Sequence, residues 1–152
     1  HLCSKPPFGY HFGECETLTI GGKTFEYFPL VVDDEEAEWV VWMYDAYAYD
    51  GRSMPESAEF LNLAEVPTRS GKPWSQENVR EILRNPVYTG YILYRGVEHR
   101  NQRNAGELFP GRHEAIVSWD LFVDVQDRRV SVRYRRQNYV EEWECPWEGA
   151  PE

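Results

Sequence analysis

Apolar and polar positions follow two periods along this chain, and the switch between them divides it. Near the start, Phe8-Gly9-Tyr10 and the segments Thr17–Ile20 and Thr24–Pro29 alternate with a rough period of two around Gly21-Gly22, which predicts a short hairpin over 8–29. From Asp33 the period lengthens. Ala37, Val40, Val41, Tyr44 and Ala48 recur at helical spacing, Asp33 and Glu36 are spaced as a capping box, and Gly51 closes the run, so a helix is expected over 33–50. Trp39, Trp42 and Tyr47 widen its apolar stripe, the mark of core packing rather than of a ligand site.

Ser53-Met54-Pro55-Glu56 is a second capping box with Pro in the first turn, launching a helix through Ala58, Phe60, Leu61 and Ala64 that should stop before Pro67. A turn with Arg69, Gly71, Lys72 and Pro73 follows. Ser75 then caps a third helix, whose buried stripe is Val79, Ile82 and Leu83 and whose end is Asn85-Pro86. Tyr91–Tyr94 and Ala115–Val117 read as strands on either side of a long loop, Arg95–Glu114, rich in Arg, Asn and Gly. Ser118 caps a last helix over 118–132 carrying Leu121, Phe122, Val125 and Val132. Residues 133–152, with Arg133–Arg136 and an acidic end containing Trp and Pro, read as linker or tail. The expectation is an α+β domain over 1–132: mostly helical, with a helix-turn-helix unit at 53–85 and a small antiparallel sheet or wing over 91–117.

Charge changes this picture in one respect. A net charge of -10 argues against a nucleic-acid binder, because phosphate neutralisation supplies most non-specific affinity. The charge is unevenly spread: residues 1–66 hold 3 basic and 13 acidic residues, whereas 69–136 hold 13 basic and 8 acidic, which permits a cationic face in the second half. No apolar run is long enough to span a bilayer and no signal peptide is evident. His1 is not an initiator Met, so an excised fragment or processed product is expected, with no membrane partner.

Chemistry at single residues is sparse. Cys3, Cys15 and Cys145 are an odd set without metal-ligand spacing, and Cys145-Pro146-Trp147-Glu148 is only half of a C-x-x-C, so no cofactor is expected and a reducing compartment is the default. Glu98-His99 and His113-Glu114 are far apart, and no nucleophile stands beside a base. What remains is the helix-turn-helix. Glu77, Arg80, Glu81 and Arg84 point away from Val79, Ile82 and Leu83, so they would face DNA if the third helix entered a major groove, or they form a solvated face of alternating charge. Arg69, Ser70, Lys72 and Trp74 precede that helix, where cations and backbone N–H groups together favour phosphate; Trp74 can equally serve as a buried anchor. Arg95, Arg100, Arg103, Arg112 and His113 could reach a second stretch of backbone or remain solvated.

In this order, Pro6-Pro7-Phe8-Gly9-Tyr10, the helix at Asp33–Tyr47, Val66-Pro67-Thr68-Arg69-Ser70-Gly71-Lys72-Pro73-Trp74-Ser75, Val79-Arg80-Glu81-Ile82-Leu83-Arg84-Asn85-Pro86-Val87-Tyr88-Thr89-Gly90 and Pro110-Gly111-Arg112-His113-Glu114-Ala115-Ile116-Val117 form a specific pattern. The chain resembles the recombinase domain of large serine recombinases, in the resolvase-invertase superfamily, over roughly Lys5–Val132. The resemblance implies sequence-specific binding of double-stranded DNA at a recombination attachment site. It places the catalytic resolvase-type domain elsewhere in cis, so Ser4, Ser70 and Ser75 are not nucleophiles and the chain alone is not an enzyme. It also implies other recombinase subunits as partners, a zinc ribbon following near Cys145, and a cytoplasmic, nucleoid-associated protein encoded by a bacterium or phage. On this reading the DNA-binding residues are Arg69, Ser70, Lys72, Trp74, Ser75, Gln76, Arg80, Arg84, Arg95, Arg112 and His113. Two features depart from the family pattern: the acidic first half, and Glu77 and Glu81 on the outward face of the reading helix. The alternative is a helix-turn-helix scaffold that docks a protein through its acidic surface and binds no DNA.

Overall fold

The computed structural model describes residues 5–94 and 107–137. The N-terminal region is two nested ladders. Strand β1 (Tyr10–Phe12) pairs antiparallel with β4 (Leu30–Val32), and β2 (Glu16–Ile20) with β3 (Lys23–Tyr27). The β2–β3 turn is the expected one: Gly21 and Gly22 take φ of 58° and 78°, the left-handed pair that a two-residue hairpin turn requires. Phe8-Gly9-Tyr10 does not belong to that hairpin. Tyr10 opens β1, and its partner β4 escaped the pattern because three residues after a proline are too few to display a period. Gly13 N–H donates to the Pro29 carbonyl at 2.8 Å where one ladder gives way to the other.

Gly9 seats this region on the first helix. Its φ is 97°, and a Cβ there would lie 3.0 Å from Ile116 Cδ1 and 3.1 Å from Val40 Cγ2, so a side chain would meet both strain and crowding. Its carbonyl accepts from Asp33 N–H at 2.9 Å and its N–H donates to Glu36 Oε1 at 3.3 Å. Helix α1 (Asp34–Ala48) is capped by the Asp33 carboxylate, which accepts from Glu36 N–H at 3.2 Å. The reciprocal half of the expected capping box is missing, because the Glu36 carboxylate turns away to Gly9 N–H and Arg69. Helix α2 (Met54–Leu63) has the full box, with Ser53 N–H donating to Glu56 Oε2 at 2.8 Å and Glu56 N–H to Ser53 Oγ at 3.3 Å.

The end of α2 was legible only as "before Pro67". It is a Schellman motif: Glu65 N–H donates to the Asn62 carbonyl and Val66 N–H to the Leu61 carbonyl, with Leu61 and Val66 both buried. The left-handed position is Glu65, φ 56°, where glycine is the usual occupant. Helix α3 (Gln76–Arg84) is followed by a 3₁₀ turn at Pro86–Thr89, left-handed Gly90 and β5 (Tyr91–Tyr94).

Two expectations need correction here. The partner of β5 is β6 (Glu107–Pro110), inside the segment read as loop, and not Ala115–Val117. Ile116 and Val117 instead donate their N–H groups to one acceptor, the Tyr88 carbonyl, at 2.8 and 3.0 Å, so this apolar run packs on the 3₁₀ turn rather than on a strand. Helix α4 (Trp119–Gln137) starts at the expected cap, Leu121 N–H donating to Ser118 Oγ at 3.2 Å, but it continues beyond Val132 to Gln137. Arg133–Arg136 read as linker because it is charged, and charge does not break a helix; neither Gly nor Pro intervenes before Pro146.

All four helices feed one core. Val40, Met43, Tyr44 and Tyr47 of α1 meet Ala58 and Leu61 of α2, Val79, Ile82 and Leu83 of α3, and Phe122 and Val125 of α4, with Phe8, Tyr10, Trp74 and Tyr88 closing the N-terminal side. Each large apolar side chain buried this way contributes about 1.5–3 kcal/mol. Trp42 stacks on Phe60 at 4.6 Å with the Arg52 guanidinium over both rings, and Trp39 lies edge-on to Trp42, so these tryptophans are core-edge packing.

Candidate nucleic-acid interface

Helix α3 carries its apolar and polar residues on opposite faces, and both of its ends are tied down. Val79, Ile82 and Leu83 are buried, while Gln76, Glu77, Glu81 and Arg84 are exposed and Arg80 is half-buried. At its start, Ser75 accepts from Asn78 N–H at 3.3 Å and Asn78 Oδ1 accepts from Ser75 N–H at 3.0 Å, a reciprocal cap.

The preceding residue is clamped in both directions. Trp74 N–H donates to Asn62 Oδ1 at 2.7 Å, and Asn62 Nδ2 donates to the Trp74 carbonyl at 3.0 Å, so one side chain of α2 fixes the backbone that enters α3. The Trp74 ring is buried, edge-on to Phe8 at 5.1 Å, and its Nε1–H donates to the Val66 carbonyl at 2.9 Å. It is the buried anchor rather than a surface contact.

The far end of α3 is held from below. The buried Tyr44 hydroxyl donates to the Ile82 carbonyl at 2.8 Å and lies 3.2 Å from the Leu83 carbonyl, which also accepts from Gln126 Nε2 at 2.6 Å. These are carbonyls of the last turn, of which Ile82 also accepts from the C-cap Asn85 N–H at 3.4 Å, so α1 and α4 complete the C-terminal cap. Burial, reinforced by the neighbouring Tyr88, pushes the Tyr44 phenol well above its ordinary pKa, keeping it the neutral donor this role needs. Asn62 and Gln126 do not stand out in the sequence, and Tyr44 does so only as part of the apolar stripe of α1. Their signal is tertiary: only the fold shows what each polar group bonds.

The turn between α2 and α3 separates its two cations. Arg69 folds inward. Its guanidinium makes a two-nitrogen ion pair with Glu36 and donates also to the Pro6, Pro7 and Tyr10 carbonyls, tying the N-terminal segment, α1 and the turn together. The hydrogen bonds to Glu36 raise its pKa. Lys72 stays exposed at the tip; the Thr68 hydroxyl donates to its carbonyl at 2.5 Å, and its own N–H lies 3.4 Å from Ser70 Oγ. Ser70 therefore shapes the turn, and both it and Gln76 are exposed.

On the outer face of α3, Arg80 pairs with Glu77 at 3.1 Å and Arg84 with Glu81 at 2.6 Å. All four side chains keep between 40% and 64% of their exposure, where such pairs are worth roughly 0.3–0.5 kcal/mol and yield readily to another partner. Arg112 is exposed, whereas His113 is half-buried: its Nε2–H donates to the Val87 carbonyl at 2.6 Å and its ring lies edge-on to Tyr10. The Tyr10 hydroxyl donates to the neighbouring Glu114 carbonyl at 2.6 Å. Arg95, Arg100, Arg103, Glu98 and His99 lie outside the described residues. Among the described residues no three His, Cys, Asp or Glu side chains gather as a metal group, and no helix is long and apolar enough to cross a membrane.

The class defined by these elements is an α+β fold built on a helix-turn-helix unit with small antiparallel ladders beside it. A family model, Recombinase, matches residues 34–131, and the chain belongs to that family, the recombinase domain of large serine recombinases. Two solved structures share the fold. A crystal structure of an LSR–DNA complex superposes with a TM-score of 0.57 at 21% identity, over 88% of this chain and 33% of that one. A structure concerned with sequence requirements of the Listeria innocua prophage attP site gives 0.53 at 23% identity, over 81% of this chain and 41% of that one. The chain thus spans well under half the length of either. No curated protein matches it.

Proposed function

We propose that this domain binds double-stranded DNA at a recombination attachment site, as the non-catalytic reading domain of a serine recombinase. The observation that carries the proposal is α3: an amphipathic helix fixed at both ends by Asn62, Trp74, Tyr44 and Gln126, with its polar face left to solvent. A rigid helix with an unpacked polar face is what a major groove accepts. Membership of the Recombinase family supports the same reading.

Within it the residues divide by role. Arg80 and Arg84, with Gln76, contact base edges or flanking phosphates; Lys72, Ser70 and Arg112 contact the backbone. Arg69, Trp74, Ser75 and His113 position these groups from behind through the bonds described above. Arg95 is assigned a DNA contact on the same reading. Chemistry on DNA belongs to a resolvase-type catalytic domain in cis, in an assembly of recombinase subunits working in the cytoplasm.

The test is a salt-controlled anisotropy titration against the cognate site and a scrambled duplex. Arg80→Ala and Arg84→Ala should each cost about 1–3 kcal/mol on the cognate site, and Lys72→Ala should weaken both duplexes alike while lowering the salt slope by about 1. Wild-type affinity in all three variants would sink the proposal.

A further inference from the structure

Among the described residues, Arg129 of α4 is a charge without a carboxylate partner. Its Nη1–H donates to Gln126 Oε1, and Gln126 in turn donates to the Leu83 carbonyl, so the guanidinium is held beside the last turn of α3. Its Nε is buried with no hydrogen-bond partner. Among the described residues no carboxylate forms an ion pair with it, and the last turn of α3 to which Gln126 ties it carries Arg84, one turn on from Arg80. Burial lowers its pKa; Tyr47 and Tyr44 offset this in part, and Arg84 and Arg80 add to it.

A half-buried, unpaired guanidinium among like charges costs stability, and such a cost is kept where an external anion repays it. We propose that Arg129, together with Arg80 and Arg84, forms a composite site for one phosphodiester of the DNA backbone, at the C-terminal end of the reading helix. Arg129 approaches from α4 and the other two from α3, so the site exists only because the helices pack. Glu77 and Glu81 are its competitors, holding Arg80 and Arg84 through exposed pairs until phosphate displaces them. This inference rests on the DNA-binding reading and adds to it a helix that the helix-turn-helix pattern does not include.

The experiment titrates the full chain with a mixed-sequence duplex of about 25 base pairs, a length covering more than two helical turns, across a range of salt, and records thermal melting of each variant. Arg129→Met keeps the apolar stem and removes the charge. It should weaken binding about threefold or more and reduce the slope of log K against log salt by about 0.9, the loss of one phosphate contact. Its melting temperature should be unchanged or higher, since an unpaired charge has been removed; Glu81→Gln should tighten binding. Arg128→Gln is the matched control, because Arg128 donates to the Gly51 carbonyl and lies over Tyr47, away from α3. If Arg129→Met keeps the wild-type slope while Lys72→Ala loses affinity, the phosphate site is wrong and the DNA reading stands. If Arg129→Met lowers melting temperature and affinity together, Arg129 is structural and the site is again wrong. Failure of the wild-type chain to bind any duplex at low salt would remove both.

Discussion

Helix α3 and the β2–β3 hairpin are both short, polar-surfaced elements, yet the fold treats them in opposite ways. Every side chain of β2 and β3 is exposed except Leu18 and Tyr27, which are half-buried, and the hairpin's side-chain bonds run across its own strands: Tyr27 to Glu16 at 2.6 Å, Thr19 to Thr24 at 3.5 Å. Ile20 and Phe25 keep 61% and 52% of their exposure. Helix α3 is shorter than a peptide helix that would persist in water, and it persists by burying Val79, Ile82 and Leu83 and by borrowing partners from α1, α2 and α4. The hairpin owes its shape to Gly21-Gly22; α3 owes its direction to the rest of the molecule. A DNA-reading element needs the second arrangement, since a misplaced helix cannot hold several side chains in one groove.

The contrast can be broken most forcefully with alkali. Tyr10, Tyr44 and Tyr88 all sit in the core behind α3, and burial is the first cause that raises each phenol's pKa. In the unfolded chain they ionise near 10.0, whereas in the fold they hold their protons. The fold therefore keeps its full stability below pH 10 and loses it as pH rises above that, by up to about 1.4 kcal/mol per pH unit for each group. Urea midpoints measured from pH 8 upward should fall steeply beyond pH 10, and a flat profile would contradict the buried-tyrosine core. Next in size is Tyr44→Phe. Removing the hydroxyl leaves the Ile82 carbonyl with only the Asn85 N–H at 3.4 Å, at a cost of about 0.5–1.5 kcal/mol, with the packing retained. The same variant should show a shallower alkaline slope, and weaker duplex binding although Tyr44 touches no DNA. Smallest is the hairpin: Ile20→Ser and Phe25→Ser should each change stability by no more than about 0.5 kcal/mol and leave affinity unaltered. A larger loss in chemical denaturation would mean that the hairpin packs more tightly than its exposure implies.

Much of the architecture was legible because its signals are local. Capping residues at Ser53, Ser75 and Ser118 and the stops around Pro67 and Pro86 mark the helix ends they belong to, and Gly21-Gly22 marks the hairpin turn, although the hairpin is Glu16–Tyr27 and not 8–29. The errors arose where a signal was short or of the wrong kind: β4 and β6 are too brief for a period, and Arg133–Arg136 was judged by charge in the absence of any breaker. For the site, the sequence picked out exposed Lys72 and Arg84 and half-buried Arg80, because residue type marks the turn cation and helical phase suffices to place the other two on the outer face of α3. It could not separate Arg69 from Lys72, two cations of one turn, because what distinguishes them is Glu36, 33 residues away.

From its own pattern, then, the chain determined where helices begin and stop, which face of α3 turns to the core, and that a basic turn precedes it, since these depend on neighbours within a few residues. Tertiary structure alone decided that Arg69 ties α1 to the turn through Glu36, that Asn62, Tyr44 and Gln126 hold the two ends of α3, and that Arg129 is tied through Gln126 to the last turn of that helix. Such roles are set by which groups meet across the core and by which of their charges are left unpaired, and neither is written in the spacing of residues along the chain.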